Sequence, residues 1–232
     1  KNSGYIARLF VLPLFILVMA AFSIKTISVN KKKWAGLHSD KKITVVIDAG
    51  HGGSDNGAYD ALGLPEKELT IAYAHSIKAA NSDKNINIVF TREADEFKSP
   101  QERSAFINNI SPDLLISIHF NNSPDENMFT KRGMEVIIAR DEFQNAAQSK
   151  LLASSVIQTF TGNFGLPVNS NPMQQQGNIK ILQESKCAAV LIEAGYMSNK
   201  DDITFLRSDK AKELFADNIL KSITQFVYSR KN

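Results

Sequence analysis

The chain has 232 residues, 27 of them Lys or Arg and 24 Asp or Glu, with 43% hydrophobic residues and one cysteine. That balance excludes a disordered polyelectrolyte, and the lone Cys187 excludes a disulfide framework or a cysteine-based zinc knuckle. Charge is uneven, +7 over residues 1–42 and −4 over residues 43–232. The body therefore offers no basic stripe, which argues against a nucleic-acid partner.

In chain order, an uncharged run from Leu9 to Ile24 follows Lys1 and Arg8 and is closed by Lys25. Its length falls between the apolar core of a signal peptide, about 7–15 residues, and a membrane-spanning helix of about 20. Residues 1–29 are expected to be a signal peptide or an N-terminal membrane anchor, with membrane contact through residues 5–24. Residues 30–42 (NKKKWAGLHSDKK) read as a basic linker. The protein is accordingly expected to be exported and to reside in the cell envelope.

Residues 43–232 read as one α/β domain. Ile43 to Ile47 is a β-branched run leading into Asp48-Ala49-Gly50, a strand and then a glycine-rich loop. From Glu66 to about Ala80, Leu69, Ala72, Tyr73 and Ile77 recur at helical spacing. Ile86–Phe90 is a second strand, Pro100 opens a short helix to about Asn109, and Leu114–Ile118 and Met134–Ala139 are further strands. A long helix is predicted over Asp141–Phe160, a loop over 161–178, a strand over Ala188–Ile192 and a closing helix bearing Leu214, Phe215, Ile219, Ile223 and Phe226. Short apolar strands alternating with amphipathic helices predict a twisted, mostly parallel sheet covered by helices on both faces.

Chemistry gathers at strand ends in such sheets. Here they read Asp48-Ala49-Gly50-His51-Gly52-Gly53, Ser117-Ile118-His119-Phe120-Asn121 and Leu191-Ile192-Glu193-Ala194-Gly195. Two histidines follow buried strands at equivalent positions, and either Glu66 or Glu68 at the start of the first helix completes a His-Glu-His set. Zinc suits imidazole nitrogen and carboxylate oxygen, and a catalytic zinc takes three protein ligands and keeps one open position. Glu193 then stands as a fourth group, a general base and later a general acid. Competing signatures are absent: there is no H-E-x-x-H, no G-x-S-x-G and no phosphate loop.

The blocks VVIDAGHGGSDNGA (45–58), Glu66-Lys67, VFTREADEF (89–97) with Arg103 and Asn108, LLISIHFNNS (114–123) and VLIEAGYMSN (190–199) resemble the zinc-dependent N-acetylmuramoyl-L-alanine amidases of the Amidase_3 type. The resemblance implies that His51, Glu66 and His119 ligate zinc, Glu66 being preferred because it stands in the Glu-Lys pair, and that Glu193 is the catalytic carboxylate. It implies hydrolysis of the amide between N-acetylmuramic acid and the L-alanine of the stem peptide, with peptidoglycan as partner. Some members involved in cell separation carry a long inserted helix that plugs the zinc site. The roughly 40 residues from the fourth strand to Gly177 leave no room for one, so open access and no protein activator are expected. Asp48 is a candidate to orient His51, or else a plain strand-end hydrogen bond. Arg92, Asn121 and Asn122 are candidate substrate contacts, Arg92 equally a structural ion-pair partner. The alternatives are a non-catalytic wall-binding module of the same fold, or a zinc hydrolase of another exported amide.

Overall fold

Strand β1 (Ile43–Ala49) lies near the middle of a mostly parallel sheet, and its β-branched side chains alternate between the sheet's two faces. The computed structural model describes residues 42–123 and 131–229. The leader and most of the basic linker lie outside the described residues. Among those that are described, no helix is long and apolar enough to cross a membrane.

The other elements, in order, are α1 (Glu66–Ala80), β2 (Ile86–Phe90), α2 (Pro100–Ile110), β3 (Leu114–Asn121), β4 (Glu135–Ile138), α3 (Ala146–Phe160), β5 (Met173–Gln174), α4 (Lys180–Gln183), β6 (Ala188–Tyr196), α5 (Lys200–Leu206) and α6 (Asp209–Ser229). The strands are ordered β2-β1-β3-β6-β4-β5; all neighbours pair in parallel except β4 and β6, so β4 and β5 run against the other four. Val45, Ile47, Ile116, Ile118, Val190 and Ile192 face the larger core, which α1, α3 and α6 cover. Val46, Leu115, Ala189 and Leu191 face a smaller one beneath α2 and α4. His119 and Glu193 alternate onto this thinner side.

Local signals set several boundaries. Ser99 and Glu102 form a reciprocal capping box and Pro100 occupies the first turn of α2, three reasons for a helix to start there. Two expected ends move. The β3 and β6 ladders continue past Ile118 and Ile192 to Asn121 and Tyr196, so His119 and Glu193 lie within strands rather than after them. Polar residues ended the apolar runs, but Phe120 and Ala194 still alternate into the main core. Helix α3 starts at Ala146, not Asp141, because Asn145 turns its amide to the Leu182 carbonyl and the preceding residues form turns. The predicted 161–178 loop contains β5, and α4 and α5 were too short to leave a periodic signal.

Candidate metal centre

The loop after β1 is held in shape by two buried arginines. Arg92, 1% exposed, donates to the carbonyls of Ala49, Gly50, Lys67 and Ala94 and to the Thr70 hydroxyl. Arg103 donates to the carbonyls of Ala49, His51 and Lys98, and its Nη1 lies 2.6 Å from Asp48 Oδ1. These bonds hold His51 in the left-handed region, at φ 60°, a conformation few non-glycine residues adopt. Lys67 at the start of α1 ties the loop from the other side, donating to the Gly53 carbonyl and to Asp95.

Glu66 enters at the first residue of α1 and is 4% exposed, whereas Glu68 points to solvent. Its Oε2 lies 3.0 Å from His51 Nε2 and its Oε1 3.1 Å from His119 Nδ1. Each oxygen also accepts a backbone N–H, from Ala58 at 3.0 Å and from Phe120 at 2.9 Å. One ligand atom from each of His51, Glu66 and His119 falls within 4.8 Å of the others, so the three could hold a metal ion. Two imidazole nitrogens and one carboxylate oxygen are a donor set that zinc accepts, and the two imidazole–Glu66 distances of 3.0 and 3.1 Å run to different oxygens of that carboxylate. The fit is good.

Packing leaves the rings little freedom. A Cβ on Gly50 would lie 2.3 Å from His119 Cε1, so only glycine admits that imidazole. A Cβ on Gly57 would meet Glu66 Oε2 at 2.5 Å. The residue that orients His51 is Asp55, whose Oδ2 is 2.9 Å from Nδ1. An imidazole that donates Nδ1–H to a carboxylate presents its Nε2 lone pair to an ion.

Three strands then place a row of groups side by side. In β3 His119 is registered against Glu193 of β6, and Glu193 is registered against Glu135 of β4. Glu193 Oε2 is buried and has no hydrogen-bond partner among the described residues. Burial pushes its carboxyl up to about 7, with Glu66 and Glu135 adding to the rise and the imidazoles opposing it. Burial works against a charged His119, but the bond to Glu66 and the nearby carboxylates prevail and lift it to about 8. Glu66 is resistant to protonation: burial acts the other way, but its bonds to the two imidazoles hold its carboxyl below the usual range.

Two cavities flank Glu193 and share both it and Ile179. One, of about 560 Å³, is lined by Asn121, Asn122, Glu135 and Tyr196 among others. The second, of about 340 Å³, reaches His51, Phe97 and Arg103. They adjoin at these residues as one groove, with His51 and His119 on the wall of its smaller arm.

The structure therefore brings together His51, Glu66, His119 and Glu193, and puts Asn121 and Asn122 on the groove wall. Of the two readings given to Asp48 and to Arg92, it favours the structural one. Asp48 does not orient His51; its oxygens accept from Thr91, Ser117 and Arg103 on the buried side of the loop. Arg92 is not a substrate contact, since its guanidinium is enclosed and spent on backbone carbonyls. Asp55, Arg103 and Glu135 were not assigned roles from sequence. Asp55 stood four residues from His51 in the same turn, a usable signal, and period-two alternation from Ile137 puts Glu135 on the site face.

A mostly parallel α/β sheet thus presents, near its strand ends, a His-Glu-His triangle that could hold a metal ion, with a buried carboxylate oxygen that lacks a partner among the described residues beside it. Residues 45–225 match the Amidase_3 family, described as N-acetylmuramoyl-L-alanine amidase, and the chain belongs to that family. It is 30% identical over 188 residues to a probable cell wall amidase, LytH, of Staphylococcus epidermidis, an alignment covering 80% of this chain. The chain spans 59% of the length of that relative. Among solved structures it is similar to an N-acetylmuramoyl-L-alanine amidase from Clostridium difficile 630, with a TM-score of 0.74 and 27% identity, over 82% of this chain and 100% of that one. The catalytic domain of CwlV, an amidase from Bacillus (Paenibacillus) polymyxa var. colistinus, gives a TM-score of 0.70 at 28% identity, over 80% of this chain and 98% of that one.

Proposed function

We propose that the chain is a zinc-dependent N-acetylmuramoyl-L-alanine amidase acting on peptidoglycan in the cell envelope. The observation that carries this is the convergence of His51, Glu66 and His119 within 4.8 Å, next to the unpartnered Glu193 oxygen. His51, Glu66 and His119 hold the ion, which would polarise the amide carbonyl and lower the pKa of a neighbouring water toward about 7. Glu193 accepts the proton of that water as its oxygen joins the acyl carbon. The carbon–nitrogen bond then breaks, and Glu193 returns the proton to the alanine nitrogen. Asn121 and Asn122, on the wall of the larger cavity, contact the substrate.

The residues before the domain keep their assigned roles in this reading: 1–29 as signal peptide or membrane anchor and 30–42 as linker to the catalytic domain beginning at 43. Substrate reaches the ion without a plug being removed. In support, the one long helix between β4 and Gly177, α3, packs into the main core on the opposite face of the sheet.

Digestion of purified peptidoglycan tests the assignment. Stem peptides with a free N-terminal alanine are expected in the presence of zinc and none after chelation. Stems released equally with and without chelator would exclude the metal, and cleavage elsewhere would exclude the amidase. Asp55→Ala is expected to keep the fold and weaken zinc binding by about 10–100-fold, because a bond that orients a metal-bound imidazole is worth that much. A competitive zinc titration checks it; unchanged affinity removes the orienting role from Asp55.

A further inference from the structure

Glu135 takes no part in the steps above, yet it stands directly across the strand pair from Glu193. Residues opposite one another in an antiparallel pair share a face, with Cβ atoms about 4.5–5.5 Å apart, and like charges there repel. The fold nonetheless holds Glu135 in place. Its Oε1 is 3.2 Å from the Tyr196 hydroxyl and its Oε2 is 3.1 Å from Asn121 Nδ2, both neutral donors. Arg132, on the same cavity wall, is turned to Asp201 and Asp202 at 3.7 and 3.8 Å. Among the described residues no ion pair is formed by Glu135, and it lines the cavity that opens beside Glu193. A carboxylate fixed by neutral donors, half-buried and facing a cavity, is complementary to a cation.

Amide hydrolysis makes a cation at this place. Water gives its oxygen and one hydrogen to the acyl carbon and its second hydrogen to the nitrogen. At neutral pH the new carboxylic acid then loses a proton and the new amine gains one. An uncharged nitrogen with a single N–H thus becomes an ammonium with three donors, released beside the carboxylate that protonated it.

We propose that Glu135, steadied by Tyr196 and Asn121, is a subsite for the α-ammonium group of the departing peptide. This rests on the amidase reading and goes beyond it, since it assigns a product-binding residue and predicts inhibition by peptides with a free N-terminal alanine.

The probes are a tripeptide beginning with L-alanine and its isostere in which a hydroxyl replaces the amine, titrated calorimetrically into the zinc-loaded protein at pH 7. An α-amino group with a pKa of about 7.7–8.0 is mostly charged there. Wild type is expected to bind the amine form on the order of tenfold tighter, the scale of a hydrogen bond to a charged group. Glu135→Gln keeps the shape, removes the charge and is expected to abolish the preference; Tyr196→Phe, which loosens Glu135, reduces it. Any preference due to the metal alone survives in Glu135→Gln, and that survival overturns the subsite. Equal binding of the two peptides by wild type overturns it as well, and needs no variant to fold. If wild type releases stems from peptidoglycan but fails this comparison, only the subsite is lost; if it releases none, the amidase reading is lost and the subsite with it.

Discussion

Glu193→Gln is expected to retain zinc and lose turnover by a factor on the order of 10²–10⁴, the range over which a positioned acid–base group contributes. The isostere fits the same space in β6, and its nearest ligand neighbour, His119, is set by the strand register rather than by a bond to Glu193. The substitution therefore removes proton transfer and leaves the three ligand atoms where they were. Metal content by atomic absorption and stem release from peptidoglycan separate these effects. Near-normal turnover would take the acid–base role away from Glu193, and loss of zinc would make it part of the coordination sphere.

The second large effect is on stability. Asp48→Asn removes the counter-charge of Arg103 from a pair in which Asp48 is 2% and Arg103 7% exposed. Stranding one member of a buried pair costs about 3–5 kcal/mol, or roughly 10 °C in Tm for a domain of this size. Acid should act in the same direction. Burial raises the Asp48 carboxyl, but Arg103 and the hydroxyls of Thr91 and Ser117 outweigh it and hold it below its usual range. A carboxylate whose folded-state pKa is depressed contributes stability above its unfolded value and loses it as pH falls through the folded one. Urea unfolding of wild type should weaken on acidification, and the Asn variant should show a smaller drop. Equal stability of the two proteins at pH 7 would mean that Arg103 is satisfied by carbonyls alone.

The four central residues were legible because each announces itself locally. His51 and His119 end or follow β-branched runs, a carboxylate opens an amphipathic helix (Glu66 being told from Glu68 only by the Glu-Lys pair of the resemblance), and Glu193 interrupts an apolar strand that would otherwise have no use for charge. Asp48 and Arg92 admitted two readings each, and the structural one holds because both lie against the histidine loop in space but on its inner side. A guanidinium spent on four main-chain carbonyls and one hydroxyl has no acidic partner to betray it, because every residue carries the same main-chain acceptor. Glu135 was hidden by topology, since its neighbour depends on β4 running against β6 across the fold. The lengths of β3 and β6 were missed because the polar groups needed for chemistry occupy ladder positions that propensity reserves for apolar ones.

The row from His119 through Glu193 to Glu135 is indexed by backbone pairing, with neighbouring strands about 4.8 Å apart. Side-chain direction alternates along a strand, so deleting one codon within β6 upstream of Glu193 would rotate that carboxylate into the main core and bring an aliphatic residue to the groove. The reading frame of the sheet is thus part of what builds the proposed site. Surface loops of this domain can be lengthened or recast, while insertions and deletions inside the central strands should be purged even where composition and hydrophobicity are preserved.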